Sequence, residues 1–374
     1  LITLYHLIFI VKIKNNMNVC ILGDGLSSLT LAKALVNQNI YVELLSQKKN
    51  LKIDRSRTLG ISKSNTNFFK KYIVDIEDLI WKIKKIEIYT DNLKNQKLLN
   101  FENKNEQIFS IIKNNKLYEI LEKSLYKSKY FKKKVYSHKN FSFLDNYEIV
   151  INCNFLNNFT NKYFNKKIIK KYNSVAYTTT IKHEKIDNRI AIQIFTKRGP
   201  LAFLPISHSE TSIVYSVNEL TQKEIDIEGL IKKYNLKYRI KRINKIDSFE
   251  LKSLNLRSYY HNNILAFGDL LHKIHPLAGQ GFNMTIRDIK VLVNIIQNRL
   301  NLGLPLDSSV NEQFEKNSKH KNFIFSSGIN FIHEFFNLER KSRSNILSKS
   351  VQFIGRNNYA NKVFTKIADE GILF

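Results

Sequence analysis

Residues 262–288 constrain the fold more than any other stretch, because they predict a strand, a glycine loop and a helix in immediate succession. The apolar run 264–267 predicts a buried strand that ends at a Gly-Asp pair. Gly279 and Gly281 flank one glutamine, so the loop backbone can lie against a flat ligand without obstruction by a Cβ atom. The following helix would turn its free N–H groups and positive dipole end toward that ligand. Ligands of open α/β sheets bind at the carboxyl ends of strands, so we predict an α/β fold with a site here.

A second strand–glycine–helix unit precedes it near the start of the chain. Gly23, Gly25 and Ser28 stand at the three positions of the pattern G-x-G-x-x-G, with serine in place of the third glycine. The first glycine permits a tight turn, and the second lets the backbone approach a pyrophosphate. With a second predicted strand at 40–45, this is the βαβ start of a dinucleotide-binding sheet. The acidic residue that binds the adenosine ribose falls at Ser46, which hydrogen-bonds a hydroxyl less strongly than a charged acceptor.

The first of these stretches resembles the second flavin motif of FAD-dependent aromatic hydroxylases, G-D-x-x-H-x-x-x-P-x-x-G-Q-G-x-N. The matching positions are Gly268, Asp269, His272, Pro276, Gly279, Gln280, Gly281 and Asn283. The longer form H-P-L-A-G-Q-G-F-N, at 275–283, is similar to the ubiquinone-biosynthesis hydroxylases in particular. The block F-T-K-R-G-P-L-A-F-L-P, at 195–205, closely resembles a segment of the same hydroxylases. The resemblance runs over most of the chain from Met17.

The resemblance implies that Asp269 contacts the ribityl chain of FAD and that the backbone of 277–281 lies against the flavin ring. It matches Arg57 to an arginine near the flavin and its phosphates. His275, Pro276 and Pro205 are the candidate catalytic residues, with Pro205 on the substrate side of the flavin. The other expected cofactor contacts are Gly23, Gly25, Ser28, Ser46, Gly268, Gly279, Gln280, Gly281, Phe282 and Asn283, with Pro276 counted here as well.

In that family, reduced FAD reacts with O2 to give a C4a-hydroperoxide that attacks an electron-rich phenol, and the cofactor carries this chemistry. The resemblance therefore implies a monooxygenase that hydroxylates the aromatic ring of a prenylated phenol in ubiquinone biosynthesis, with NAD(P)H as reductant. Two alternatives stay open. One is a degenerate, non-catalytic subunit of a biosynthetic complex, since Cys153 and Asn154 replace the Asp and Gly of the family's A-D-G turn. The other is a prenyl reductase of the same fold.

The resemblance also implies the architecture. We expect a Rossmann-like FAD-binding domain, an inserted β-sheet substrate domain like that of p-hydroxybenzoate hydroxylase, and a C-terminal helical region. Within it, the patterns predict one strand over 81–91, a polar loop over 157–173 and a turn at Gly199-Pro200. The expected parts are 17–75, 109–155 and 255–300 for the FAD-binding domain, 76–108 and 165–254 for the substrate sheet, and 301–374 for the C-terminal helices.

Charge and apolar patches bear on the partners. The chain carries 60 Lys and Arg against 32 Asp and Glu, a net charge of +28. Such a charge attracts nucleic acid or an anionic membrane, but lysine is abundant in all parts of the chain, and no nucleic-acid-binding motif is present. The C-terminal region is strongly apolar, which favours core packing and leaves a membrane-facing patch as the alternative. The apolar residues are Phe323, Phe325, Ile329, Phe331, Ile332, Phe335 and Phe336.

Cysteine and histidine usage favours a reduced, metal-free protein. Cys20 and Cys153 imply no disulfide framework and fit a reducing compartment. Cys153 is interpreted as a passive replacement rather than a redox thiol, and Asn154 as a residue suited to a positive φ. His272 and His275 lie three residues apart, as metal ligands on a helix can, but they lack companions, so no metal is expected.

The sequence also bears on localisation. The apolar part of residues 1–16 is too short to span a bilayer, which needs roughly 20 residues. Met17 is the expected natural start, preceded by an upstream extension. We therefore expect a cytoplasmic protein, with peripheral contact to the inner face of the membrane as the further expectation.

Overall fold

The structure, a computed structural model, describes most of the chain between Asn18 and Gly371. The apolar residues 1–16, the expected start at Met17 and the last residues of the expected C-terminal region lie outside the described residues. The described ranges are 18–47, 57–93, 96–102, 107–136, 144, 146–155, 157–218, 225–342, 346–355 and 357–371.

Strands dominate the first three quarters of the chain, and helices dominate its end. The strands are β1 (Asn18–Leu22), β2 (Tyr41–Ser46), β3 (Thr58–Ser62), β4 (Trp81–Ile83), β5 (Lys85–Thr90), β6 (Lys97–Glu102), β7 (Phe109–Lys113), β8 (Phe131–Val135), β9 (Ile149–Asn152), β10 (Lys167–His183), β11 (Ile190–Thr196), β12 (Gly199–Pro205), β13 (Glu210–Asn218), β14 (Ile240–Ile243), β15 (Asp247–Leu256), β16 (Tyr260–His261), β17 (Ile264–Ala266) and β18 (His272–Lys273). The α-helices are α1 (Leu26–Val36), α2 (Lys63–Phe68), α3 (Asn114–Tyr126), α4 (Asn158–Tyr163), α5 (Ile227–Tyr234), α6 (Gly281–Asn301), α7 (Ser308–Ser342), α8 (Ile346–Gly355) and α9 (Asn358–Glu370). A π-helical turn at Phe69–Ile73 continues α2, and 3-10 turns lie at Glu77–Leu79, Asp91–Leu93, Gly268–Leu270 and Leu277–Gly279.

A six-stranded sheet forms the buried layer that carries both glycine loops. Its order is β16-β17-β9-β1-β2-β8, parallel throughout except for the pair of β16 with β17. Parallel strands covered on both faces form continuous apolar runs, and residues 19–22 of β1 are fully buried. Helices α1, α3 and α6 contribute leucines and isoleucines to the same core. Because the carboxyl ends of β1, β2, β9 and β17 meet at one edge, the loops that follow them come together there.

A larger, mostly antiparallel sheet forms the second layer, in the order β18-β15-β10-β13-β12-β11-β5-β6, with β14 also paired to β10. One face packs on α5, through a cluster that includes Leu201 and Phe203. Successive side chains of a strand point to opposite faces, and Leu204 packs instead with Phe109 of the small sheet β3-β7-β4. Phe195 likewise packs on residues of the second glycine loop. This inner face of the larger sheet therefore borders the edge that carries the glycine loops.

Three local predictions were wrong. The predicted strand over 81–91 is two strands in different sheets, because the backbone N–H of Lys84 donates to the Arg189 carbonyl between β4 and β5. The predicted loop over 157–173 contains α4 and the start of β10. The Asn157 side chain caps α4 by accepting from the backbone N–H of Thr160, and β10 gains its structure from pairing with β15, which the side-chain pattern does not reveal.

The predicted turn at Gly199-Pro200 lies two residues earlier, at residues 197–198. Gly199 itself opens β12 with a φ of +139°, and a Cβ atom there would overlap the Ser216 carbonyl oxygen. The glycine therefore serves the close approach of β12 to β13 rather than the turn.

The apolar residues of α7 divide between two surfaces. Phe325 and Ile329 are buried in a cluster with Met284 of α6, as the core interpretation predicts. Phe331 is 69% exposed, and Phe353 of α8 is 80% exposed. Within the described ranges, none of the helices combines the length and the apolar character needed to cross a membrane.

Candidate functional site

The first glycine loop, residues 23–28, leaves open space over the start of α1. Gly23 has a φ of +106°, which L side chains rarely adopt, and a Cβ atom there would stand 3.5 Å from the Asn154 side chain. Gly25 is exposed, and a Cβ atom there would meet nothing within 4 Å. Helix α1 starts directly after it, with no side-chain cap and no acidic residue in its first turn. Free N–H groups beneath open space fit a pyrophosphate.

The second glycine loop, residues 268–283, packs directly against the first. Gly268 has a φ of +64°, and a Cβ atom there would stand only 2.8 Å from the Cβ of Ser27. Asp269, which follows it, is exposed, and its charge reaches the Cys153 thiol. The structure therefore brings the two predicted motifs together at one edge of the sheet.

Cys153 sits between these loops as a neutral thiol. Burial raises its pKa to about 12. A thiol with this pKa is protonated at neutral pH and is a poor nucleophile. Ser28, predicted to stand in for the third glycine, is buried against it.

The turn after β9 is held by side chains rather than by an unusual backbone angle. Non-glycine residues with a positive φ in the described chain are Asn39, Asn173 and Asn262, so the expected positive φ at Asn154 was wrong. Instead, the side-chain Oδ1 of Asn152 accepts from the Asn154 backbone N–H at 3.0 Å and from the Asn157 amide at 2.7 Å. The Thr160 hydroxyl donates to the Asn154 carbonyl at 2.6 Å. These hydrogen bonds hold the turn in which the sequence lacks the Asp and the Gly of the family's A-D-G pattern.

Asn283 fastens the start of α6 to β3. Its Nδ2 donates to the Gly60 carbonyl at 3.0 Å, and its Oδ1 accepts from the Ser62 backbone N–H at 2.9 Å and from the Asn65 amide at 2.8 Å. Gly279 has a φ of +62°, and a Cβ atom there would stand 3.5 Å from the Gly60 backbone. These contacts fix the loop against β3 and leave the start of α6 without a side-chain cap or an acidic residue.

Two neighbours in this loop behave differently. Gln280 is buried, and its Oε1 has no hydrogen-bond partner among the described residues. Gly281, next to it, is exposed. Phe282 is half-buried and packs into the core, 6.2 Å from the ring of Phe69, and its contact with the cofactor stays a prediction. An orphaned buried acceptor beside an exposed glycine at a helix start fits a polar cofactor ring.

His272 ties the loop to the C-terminal helices. Its Nε2 lies 2.5 Å from Asp288 Oδ2, and the Asn322 amide donates to the other oxygen of Asp288 at 2.9 Å. All three side chains are buried. In the described part of the chain, no group of three or more His, Cys, Asp or Glu is placed to hold a metal ion.

His275 is a buried imidazole with unused hydrogen-bonding capacity. It is 1% exposed, and neither ring nitrogen has a hydrogen-bond partner among the described residues. The ring of Tyr172 stands perpendicular to it at 4.9 Å, and the ring of His333 lies at 4.6 Å. Burial, and secondarily His333, lowers the pKa of His275 to about 3, so the ring is neutral with one free donor and one free acceptor. The Tyr172 hydroxyl donates to Asn330.

The prediction for Pro205 is not supported. It shares the strand face of Leu201 and Phe203, which pack on α5. Its neighbour Leu204 lies on the opposite face with Phe109, and the Phe109 ring stands 3.6 Å from where a Cβ of Gly279 would be. Leu204 is thus the residue of this segment that faces the glycine loop.

Pro276 lies within that loop, and Arg57 lies directly before β3. Pro276 leads into the 3-10 turn that carries Gly279, immediately after His275. Arg57 is exposed at the start of β3, with its guanidinium 5.2 Å from the centre of the Phe249 ring on β15. Arg57 therefore connects β3 with the larger sheet.

The predicted ribose contact, Ser46, is fully buried and bonded to a carboxylate. Its hydroxyl donates to Asp24 Oδ2 at 2.5 Å, and the Lys133 ammonium lies 3.9 Å from the same oxygen. Asp24 is the residue between the two glycines of the first loop, where the fingerprint assigns no role. Reading only the pattern positions missed it.

Sequence comparisons agree with this geometry. No protein-family model matches the chain. Ubiquinone hydroxylase UbiL of Rhodospirillum rubrum is 27% identical over 146 residues, which are 36% of this chain and 33% of the relative. The 3-demethoxyubiquinol 3-hydroxylase of Escherichia coli is 27% identical over 152 residues, 38% of this chain and 39% of the relative. The resemblance to ubiquinone-biosynthesis hydroxylases is confirmed. Matches to such relatives span less than half of each relative's length, between 33% and 49%.

Comparison of structures confirms the predicted fold class. The p-nitrophenol 4-monooxygenase PnpA of Pseudomonas putida superposes with a TM-score of 0.73 at 10% identity, over 95% of this chain and 99% of that one. Klebsiella pneumoniae HpxO, solved with FAD and uric acid, gives the same TM-score and identity over 95% of this chain and 97% of that one. At such identities the likeness establishes the fold alone.

Proposed function

We propose that this chain is an FAD-dependent monooxygenase that hydroxylates the aromatic ring of a prenylated phenol in ubiquinone biosynthesis. The observation that carries the proposal is the meeting of the two glycine loops at Gly268 and Ser27, each loop opening an uncapped helix. A cofactor in which a polyol chain links a pyrophosphate to a flat polar ring matches this pair of sites. The sequence relatives and the shared fold support FAD as that cofactor.

In this proposal each loop holds a different part of FAD. Gly23, Gly25 and the first N–H groups of α1 bind the pyrophosphate. Asp269, exposed between the loops, accepts from the ribityl hydroxyls. The backbone around Gln280 and Gly281 faces the flavin ring, where the positive end of α6 stabilises negative charge. Bound FAD would supply the redox and oxygen-activating chemistry.

The surroundings of His275 suit a phenol with an apolar tail. Its free donor and acceptor match the hydroxyl of a phenol, which both donates and accepts. Ile274, Leu277 and Met284 form an apolar cluster around it with residues of α7 and the larger sheet. Apolar side chains of this kind accommodate a prenyl chain and exclude water. The exclusion of water protects reactive intermediates from side reactions.

The reaction balances with O2 and a two-electron donor. One oxygen atom enters the aromatic ring and the other leaves as water, while NAD(P)H gives up a hydride. NAD(P)H is our proposed reductant, with another electron donor as the alternative. The sequence carries one dinucleotide fingerprint, which we assign to FAD, so the reductant would act as a transient partner.

Location follows from charge and exposed apolar surface. We place the enzyme in the cytoplasm at the inner face of the membrane, where a prenylated substrate resides. The net charge of +28 and the exposed Phe353 and Tyr359 of the C-terminal helices support contact with an anionic surface or with other enzymes of a biosynthetic complex.

The first test is the visible spectrum of the purified protein before and after addition of FAD. A bound-flavin spectrum, followed by formation of a product with one added oxygen from a prenylated phenol, NAD(P)H and O2, is the expected result. A product with two added hydrogens would indicate a prenyl reductase of the same fold. Protein that stays colourless with added FAD would favour the second candidate, a non-catalytic subunit, which the replacements at Cys153 and Asn154 support.

A further inference from the structure

The carboxylate of Asp24 lies beside the end of β2, at the position where the fingerprint places an acidic residue and this chain has Ser46. Ser46 occupies that position, and its hydroxyl donates to Asp24 Oδ2 at 2.5 Å. Asp24 belongs to the first glycine loop, yet its side chain reaches across to the neighbouring strand and is only 8% exposed. The acidic group that this edge requires is therefore present, although it comes from a different part of the chain.

Two groups hold this carboxylate in place. The Ser46 hydroxyl bonds Oδ2, and the ammonium of Lys133 on β8 lies 3.9 Å from the same oxygen. Lys133 is itself fixed by Glu122, 3.2 Å away. Both of these partners engage Oδ2, so Oδ1 is the carboxylate oxygen that neither of them occupies. Lys133 also offsets the repulsion between this carboxylate and a nearby pyrophosphate.

An aromatic and an amide side chain border the same point. Gln47 and Tyr136 follow directly after β2 and β8, and the Tyr136 backbone N–H donates to the Ser46 carbonyl at 3.0 Å. The Tyr136 hydroxyl bonds the side chains of Gln47 and Asn154. A half-buried aromatic face with amides beside it suits a purine base.

We propose that Asp24 and Ser46 together form the subsite for the ribose of the adenosine half of the cofactor. Asp24 accepts hydrogen bonds from the ribose diol through Oδ1, and Ser46 fixes the orientation of the carboxylate. The serine at the end of β2 thus supports tight nucleoside binding instead of weakening it. This inference rests on the proposed binding of FAD.

The test is a ligand cycle with the full-length apoprotein. Calorimetry measures the dissociation constants of ADP and of 2′,3′-dideoxy-ADP for the wild type and for Asp24→Ala. The expected result is that the wild type binds ADP about 10- to 100-fold more tightly, because a hydrogen bond to a charged group is lost with the diol. Asp24→Ala should bind both ligands with equal, weaker affinity. If the ratio of the two constants is the same in both proteins, Asp24 only ties β2 to β8 and the inference is overturned.

Flavin fluorescence supplies the matched control. FAD affinity should fall about 10- to 100-fold in Asp24→Ala, while FMN, which lacks the adenosine, should bind both proteins equally. Placing the acid back at the strand end, in the double variant Asp24→Ala with Ser46→Glu, should recover most of the FAD affinity. An equal loss of FMN affinity would show general damage to the loop and count against the inference.

Folding is checked in parallel. The isosteric Asp24→Asn variant repeats the cycle if Asp24→Ala does not fold, and a smaller ADP preference is expected there too. A wild type that binds neither FAD nor ADP would overturn the proposed function and this inference together. A wild type that binds FAD, with an unchanged ADP preference in the variants, would overturn only the ribose assignment.

Discussion

The two glycine loops are held by different kinds of contact. In the second loop, the Asn283 side chain forms hydrogen bonds with backbone groups of Gly60 and Ser62 on β3, which is distant in sequence. Around the first loop, side chains bond other side chains as well as the backbone: Ser46 donates to Asp24, and in the neighbouring turn after β9 the Asn157 amide donates to Asn152 Oδ1. Backbone groups do not change when a residue is substituted, so a side chain that bonds them has few replacements. Two side chains that bond each other can instead be replaced together.

This difference explains where the sequence departs from the family pattern. The second loop keeps every position of its motif, and its glycines stand where a side chain would meet a backbone or another side chain. The first loop has lost a glycine, the acid at Ser46 and the Asp-Gly of the turn after β9, yet polar partners from neighbouring strand ends replace them. Departures from a motif therefore do not by themselves indicate loss of a site.

The sharpest contrast should come from Asn283→Ala. It leaves the buried Ser62 N–H and Gly60 carbonyl without partners, so we expect a loss of about 3–5 kcal/mol in the free energy of unfolding and no retained FAD. Urea unfolding followed by circular dichroism measures the first, and the visible spectrum measures the second. The control is Asn294→Ala, an exposed site on the same helix, which should change stability little. Equal effects of the two substitutions would contradict the role of Asn283.

His275 should give the second loop a stability that depends on pH. Its pKa is lowered to about 3 in the folded protein, while the unfolded chain takes up a proton near pH 6.5. Between these values the unfolded state binds more protons, so stability falls as the pH falls through this window, by about 5 kcal/mol in total. His275→Gln should flatten this part of the profile.

The matched control for that profile is His320→Gln, because His320 is exposed on α7. Its removal should leave the slope of stability against pH unchanged. Urea midpoints measured from pH 7 to pH 4 compare the three proteins. If His275→Gln keeps the wild-type slope, the buried imidazole is not the group responsible.

In the first loop, the turn after β9 should tolerate damage better. Asn157→Ala removes the cap of α4 and the amide bonded to Asn152, which we expect to cost about 1–2 kcal/mol of stability. FAD affinity should fall less than tenfold, since Thr160 still holds Asn154. Asn161→Ala, exposed in the same helix, is the control for helix propensity. A complete loss of FAD binding in Asn157→Ala would show that this turn is as important for cofactor binding as Asn283, which would contradict the prediction.

The sequence predicted those parts of the fold that depend on local pattern. The strand β1 and the opening of α1 follow from an apolar run and a glycine fingerprint, and the structure has both there. Strand pairing is not local: the break at Lys84 depends on Arg189, and the start of β10 depends on β15. For the same reason the motif identified His275, but nothing near it in sequence indicated Tyr172 or His333.

Side-chain direction was the other limit. The fingerprint describes backbone positions, so it assigns Ser46 by counting and ignores Asp24, although an acidic residue between two glycines at a strand end was visible in the sequence. The same limit applies to Pro205. Successive side chains of β12 point to opposite faces, so Pro205 lies on the face toward α5 and Leu204 on the face toward the glycine loop. Motif positions and side-chain contacts together define the candidate site, and the role of each side chain in it stays a prediction.

Cys153 should show the smallest effect, although it replaces a charged residue between the two loops. Burial raises its pKa to about 12, so the thiolate fraction at neutral pH is negligible and a disulfide-exchange reagent should modify it only upon unfolding. Cys153→Ser should change FAD affinity less than threefold, since serine is close to cysteine in size and the thiol carries no charge at neutral pH. Thiol titration of the native and the urea-unfolded protein separates the outcomes: rapid reaction in the native state would mean that the half-buried thiol ionises at neutral pH, and Cys153 could not then be the passive replacement between the two loops that this prediction requires.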